Sequence, residues 1–154
     1  MPEFHLPLAA EDREVAVELQ AALVDLIDLA LIGKQAHWNV VGPHFRSLHA
    51  ELDELVDAWR AMGDEVAERA VALGAAPDGQ AELVAGATEI EPLPGGHLRD
   101  GDVVEAISQR LAGVARRMRE RIDRTAQDPV TQDLLTGVAG ALDKQLWMLQ
   151  AQRA

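Results

Sequence analysis

A chain of 154 residues can bury one sizeable core and is too short to expect two, so a single domain over residues 1–154 is the expectation. Its composition, 48% hydrophobic and 26% charged with few aromatics, is rich in Ala, Leu, Glu, Asp and Arg and favours helix throughout. The absence of cysteine excludes disulfides, thiol nucleophiles, iron-sulfur clusters and thiolate zinc sites, and a net charge of −12 repels phosphate backbones while attracting cations.

The opening MPEFHLPLAAEDREV has neither a basic n-region nor an apolar h-region, and the greasiest run, LVDLIDLALIG, is broken by Asp25 and Asp28. No signal peptide or membrane span is therefore expected, and a cytoplasmic location fits. The first helix is predicted over 11–39, with Leu19, Leu23, Leu26, Ala30 and Gly33 alternating by four and three along a packed seam that His37 continues. Gly42 and Pro43 then punctuate the chain, with Pro43 expected in the first turn of a second helix that returns antiparallel. That helix carries the cleanest stripe in the sequence: Phe45, Leu48, Leu52, Leu55, Trp59, Met62, Val66 and Leu73, stopping before Gly74.

From Gly74 to Gly101 the chain is rich in Gly and Pro, and only QAELVAG can form a short helix. The third helix is expected to begin near Asp102, where D-V-V-E resembles a capping box, and to keep its stripe at Ile107, Leu111, Val114, Met118 and Ile122. Asp128 before Pro129 reads as the cap and first turn of the fourth helix, with Leu135, Val138, Leu142, Leu146 and Leu149 facing the core. Four helices with one long crossover containing a short helix describe an all-α bundle of ferritin-like topology.

The second helix also carries two pairs of metal-competent side chains, His49 with Asp53 and Asp64 with Glu68, each one turn apart on one face. The pairs begin 15 positions apart, about 22 Å of helix, so no single ion reaches both. The Glu-x-x-His pattern with which ferritin-like bundles bind two irons in their own core is absent. A two-fold dimer with this helix antiparallel to its copy, its axis near Trp59, resolves the geometry: residue 49 then faces 68 of the mate, and 53 faces 64. His37, across the short turn from His49, completes two identical sites per dimer. Mixed imidazole and carboxylate donors suit Fe(II), with Zn, Mn and Co as competitors. Singly, each residue has a plainer explanation: a hydrogen-bonded pair, a solvated acidic face, a satisfied core histidine. One symmetry operation assembling all five is the stronger argument.

The run GKQAHWNVVGPHFRSLHAELDELVDAWRAMGDEVAER resembles the signature of the Dps family, the mini-ferritins also called DNA-binding proteins from starved cells. The resemblance rests on H-W-N at His37 to Asn39, the Gly42 turn, Phe45, the L-H of Leu48 and His49, Asp53 and the D-x-x-A-E-R of Asp64 to Arg69, and K-Q-L-W-M with Trp147 extends it to the last helix. It implies a hollow dodecamer that acts as a ferroxidase, oxidising Fe(II) preferably with hydrogen peroxide and storing Fe(III) mineral inside. It assigns the ferroxidase ligands to His37, His49 and Asp53 of one subunit and to Asp64 and Glu68 of its two-fold mate. Trp38 fits the place of an indole beside the centre, whereas Trp59 and Trp147 read as packing. Lys34, one turn before His37, stands where it could bond a ligand carboxylate or simply face solvent. Asp123, Asp128 and Asp133 surround the connection that lines three-fold pores in the family, Asp133 being preferred because Asp128 is also a helix cap.

DNA is a possible partner in this family, commonly through basic tails. Here no basic residue precedes Arg13, and LQAQRA offers only Arg153. Arg110, Arg116, Arg117, Arg119, Arg121 and Arg124 of the third helix could track phosphates, as a nucleoid-associated DNA-packing protein would require. Pairing with acidic neighbours is the favoured explanation for them.

Overall fold

The computed structural model describes residues 9–153. Five α-helices and one pair of very short strands follow in the order α1 (Ala10–Asn39), β1 (Val40–Val41), α2 (Phe45–Ala72), α3 (Ala81–Ala87), β2 (Leu98–Arg99), α4 (Asp100–Arg124) and α5 (Pro129–Ala151). The four long helices form the expected bundle, α1 packing chiefly on α2 and α4 on α5, while α3 lies in the crossover against α1. Acidic Glu11 and Asp12 in the first turn of α1 complement its dipole. α2 ends where Gly74 adopts φ +93°, a left-handed stop in which Gly74 and Ala75 donate to the carbonyls of Val71 and Ala70.

The core is filled from all four long helices, with Leu19, Leu26, Leu29, Leu52, Trp59, Ile107, Leu111, Met118, Leu135, Leu142 and Leu149 fully buried. Trp59 can lie flat against α1 because residue 33 is glycine: a Cβ there would stand 2.6 Å from Val56 Cγ2 and 2.8 Å from Trp59 Cζ3. The indole donates to Gln145 Oε1 of α5 at 2.9 Å, so its one polar atom is satisfied inside the bundle. Asp25 is also buried. It accepts from Arg117 through both oxygens at 2.7 and 3.0 Å, and Arg121 Nη1 lies 2.7 Å away. The crossover is pinned to α1 by reciprocal bonds between the Gln20 side chain and the Asp78 backbone at 2.7 and 2.9 Å and by Thr88 Oγ1 donating to Asp28 Oδ2 at 2.5 Å.

Four local expectations need correction. α2 begins at Phe45, so Pro43 belongs to the preceding turn and not to the first helical turn. Phe45, although in phase with the stripe, is 42% exposed because it precedes the first residue that reaches the core. α4 begins at Asp100 with Arg99 as its uncapped flank; Asp100 is occupied elsewhere, and the D-V-V-E box does not form. Trp147 is 65% exposed within the chain, against the packing role expected of it. The expected cap of α5 is observed, Asp128 accepting from Val130 N at 3.3 Å with Pro129 in the first turn.

Candidate functional site

The end of α1 and the start of α2 are joined by a turn that sets two histidines face to face. Their rings stack with centroids 3.6 Å apart and planes 15° from parallel. His37 Nδ1 lies 2.7 Å from the His49 carbonyl, and His49 Nδ1 lies 2.8 Å from the His37 carbonyl. A carbonyl only accepts, so each Nδ1 carries the proton; in the neutral imidazole this leaves each Nε2 with its lone pair free, the form that binds a metal. The reciprocal bonds thereby fix both tautomers and both ring orientations. Phe45 flanks the pair, its ring 5.0 Å from that of His49.

Asp53, one turn beyond His49 on α2, approaches the same end: its Oδ1 is 3.7 Å from His37 Nε2. The Lys34 ammonium of α1 donates to this carboxylate and, with the nearby histidines, holds its carboxyl below the ordinary carboxylate range despite the opposing effect of desolvation. Trp38 is 66% exposed, directly after His37 in the chain.

Asp64 and Glu68 lie further along α2 and face solvent. Among the described residues, no three His, Asp or Glu side chains of a single chain form a group able to hold a metal ion. His37, His49 and Asp53 thus share one end of the α1/α2 hairpin, and the two remaining acids are not brought to them within the chain. Trp59 marks the midpoint between the two sets but is itself fully buried, so any symmetry axis at that level crosses the exposed side of α2 and not the indole.

Two residues that shape this end, Asp100 and His44, were not singled out from the sequence. Asp100 Oδ2 accepts from the His44 backbone N at 2.9 Å and lies 3.0 Å from His44 Nδ1, while Oδ1 accepts from Gly101 N at 2.9 Å. These bonds hold the Asp100 carboxyl below its ordinary range, the His44 backbone donor being the largest influence. Gly42, at φ +130°, makes room for the carboxylate, which a Cβ would meet at 2.8 Å. Together with the parallel pairing of Val40 with Leu98 and Val41 with Arg99, this ties the histidine-bearing turn to the start of α4. At the opposite end of α2, Arg69, next to Glu68, donates to Asp128 Oδ2 at 2.7 Å and Thr131 Oγ1 at 3.0 Å.

Of the three pore candidates, Asp123 and Asp133 are exposed, whereas Asp128 is committed to Arg69, Thr131 and its own helix cap. The α4 arginines are mostly engaged. Arg110 holds the Glu91 and Pro92 carbonyls, Arg117 and Arg121 hold Asp25, Arg119 pairs with Asp143, and Arg124 with Glu18 and Glu120. Among the described residues, no helix is long and apolar enough to cross a membrane.

Comparison with known proteins gives a consistent picture. The family model for the ferritin-like domain matches residues 17–154. A DNA protection during starvation protein of Agrobacterium fabrum is 38% identical over 152 residues, covering 95% of this chain and 91% of its own. Mycobacterium smegmatis Dps in a tetragonal form superposes with a TM-score of 0.91 at 34% identity, over 99% of this chain and 94% of that one. Dps from Microbacterium arborescens in the high iron form superposes with a TM-score of 0.88 at 30% identity, over 95% and 98% of the respective chains.

Proposed function

The chain belongs to the Dps family of ferritin-like proteins, and on that footing we propose that it is an iron-storing ferroxidase whose oxidation sites are shared between two-fold related subunits. Ferrous iron is its substrate. His37, His49 and Asp53 of one protomer supply two imidazole nitrogens and a carboxylate, and Asp64 and Glu68 of the mate supply the remaining oxygens. The observation that carries this reading is the reciprocal bonding of His37 and His49, which spends both Nδ1 protons on backbone carbonyls and leaves both Nε2 atoms as donors. The donor chemistry fits iron: nitrogens anchor it more firmly than Mg or Ca, and carboxylates stabilise the ferric product.

Lys34 neutralises Asp53 in the isolated chain, so an arriving cation takes over a position already organised for positive charge. Two ferrous ions each give up one electron; with two protons, the pair reduces one hydrogen peroxide to two waters, a route that releases no hydroxyl radical. A bridging site with few anchoring nitrogens lets the oxidised product leave for storage within a hollow dodecamer. Residues 1–154 act here as one ferritin-like unit in the cytoplasm. Asp123 and Asp133 remain the candidates for guiding cations inward, and Trp38 for intercepting stray oxidising equivalents beside the centre.

The test is the rise of ferric absorbance after Fe(II) and peroxide are added to the assembled protein. His49→Ala combined with Asp53→Ala is expected to slow it severely while the shell still forms; unaltered kinetics would overturn the ligand assignment. DNA packing is the weaker alternative, because the helix that would have to track phosphates has most of its guanidinium groups, Arg116 excepted, engaged by acids and carbonyls.

A further inference from the structure

Along α2, six charged or ionisable residues occupy one stripe: His49, Asp53, Asp57, Arg60, Asp64 and Glu68. Their spacings of 4, 4, 3, 4 and 4 read the same in either direction, and at about 100° per residue all six fall within roughly 100° of arc. A two-fold axis that brings residue 49 opposite 68 and 53 opposite 64 must also bring 57 opposite 60, since each of these pairs of numbers adds to 117. The two middle residues carry opposite charges. Both are exposed, and neither has an ion-pair partner among the described residues of its own chain.

We propose that Asp57 and Arg60 form a self-complementary pair of ion bridges flanking the dimer axis, which sets the antiparallel register of α2 against its copy and so brings the two halves of each iron site together. This deepens the shared-site reading and rests on it. The partner is a second copy of this chain, and charge complementarity is what selects it. Antiparallel packing at this register makes two Asp57–Arg60 contacts. Parallel packing would set 57 against 57 and 60 against 60, like against like, and sliding the antiparallel pair by one turn can set Asp57 against Asp64. Beside the stripe runs an apolar groove between α1 and α2, lined by Leu26, Ile27, Leu31, Gly63 and Ala67 with Arg60 and Asp64 at its edge. Leu31 is 55% exposed there. This surface gives a mate apolar area to bury, which is non-directional; the two charges supply the direction.

Charge reversal separates register from simple stickiness. Asp57→Arg alone sets arginine against arginine twice, and Arg60→Asp alone sets aspartate against aspartate twice, so each variant should dimerise about tenfold more weakly than wild type. Co-expressed with different tags, the two variants meet with opposite charges at both contacts. Native mass spectrometry should then find mixed dimers well above the statistical share of about one half. The double variant Asp57→Arg with Arg60→Asp should restore self-association. Single variants that assemble like wild type and mix only statistically would overturn the proposal, as would a double variant as weak as the singles. Because assembly is read by mass and not by iron turnover, a wild-type protein that obeys this register yet oxidises no iron would count against the ferroxidase reading alone.

Discussion

Sharing of the iron site between subunits can be tested by complementation. One full-length variant carries His49→Ala and Asp53→Ala, the other Asp64→Ala and Glu68→Ala. In a homodimer of either, both sites lack half their ligands, so each should oxidise Fe(II) near the background rate. In a mixed dimer the first chain offers intact Asp64 and Glu68 to the intact His37, His49 and Asp53 of the second, which rebuilds one site of two; the other site loses both halves. Equal co-expression with random pairing makes about half the dimers mixed, so about one quarter of wild-type initial rate should return. The assay is ferric absorbance at equal protein concentration, with assembly checked by size-exclusion chromatography. A mixture no faster than its parents would refute the sharing of ligands across the axis. So would an Asp64→Ala, Glu68→Ala parent that retains wild-type activity, since iron would then be held within one chain.

Other outcomes follow from the packing. Asp25→Ala takes the shared carboxylate from the buried Arg121 and the partly buried Arg117 and should cost about 3–5 kcal/mol, whereas Asp143→Ala, which removes only the exposed partner of Arg119, should cost at most about 1 kcal/mol; urea denaturation at matched concentration compares them. Gly33→Ala drives a methyl into Val56 and Trp59 and should cost about 1–3 kcal/mol, seen as a lower melting temperature. Burial pushes the Asp128 carboxyl up, but hydrogen bonds from Thr131 and Arg69 hold it, on balance, below its ordinary value of 3.8. The folded state therefore favours the charged form: the contribution is complete above that value and is lost as pH falls through the lower folded one, so Asp128→Asn should flatten the acid limb of the stability profile. In a gel-shift salt series at neutral pH no retardation of duplex DNA is expected at physiological salt. Retardation that Arg116→Ala abolishes would restore α4 as a phosphate-tracking face.

The bundle was legible because its signals are local and repeated. The four-and-three alternation from Leu19 to His37 and the stripe from Leu48 to Val66 each repeat within one helix, and Asp128-Pro129 is a two-residue cap signal. His37 and His49 were legible as neighbours because a short antiparallel turn leaves little freedom. What escaped notice depends on partners remote in sequence. Asp100 looks like one more loop acid until His44, 56 positions earlier, arrives beside it; that bond is also why the helix starts before the apparent capping box. Asp25 reads only as an interruption of an apolar run, since the arginine that justifies its burial lies 92 positions away. Lys34 had two readings of equal standing, and only the contact with Asp53 distinguishes them.

The knot of contacts around Gly42 carries a consequence for biogenesis. The first two helices leave the ribosome before the segment that latches their shared bend has been made, because the acid closing that latch is residue 100. A half-synthesised polypeptide thus owns the imidazoles without the brace that orients them, and it also lacks a finished mate. On the proposed reading, iron oxidation therefore waits until translation and pairing are both complete, and a chain still being made cannot assemble a working centre.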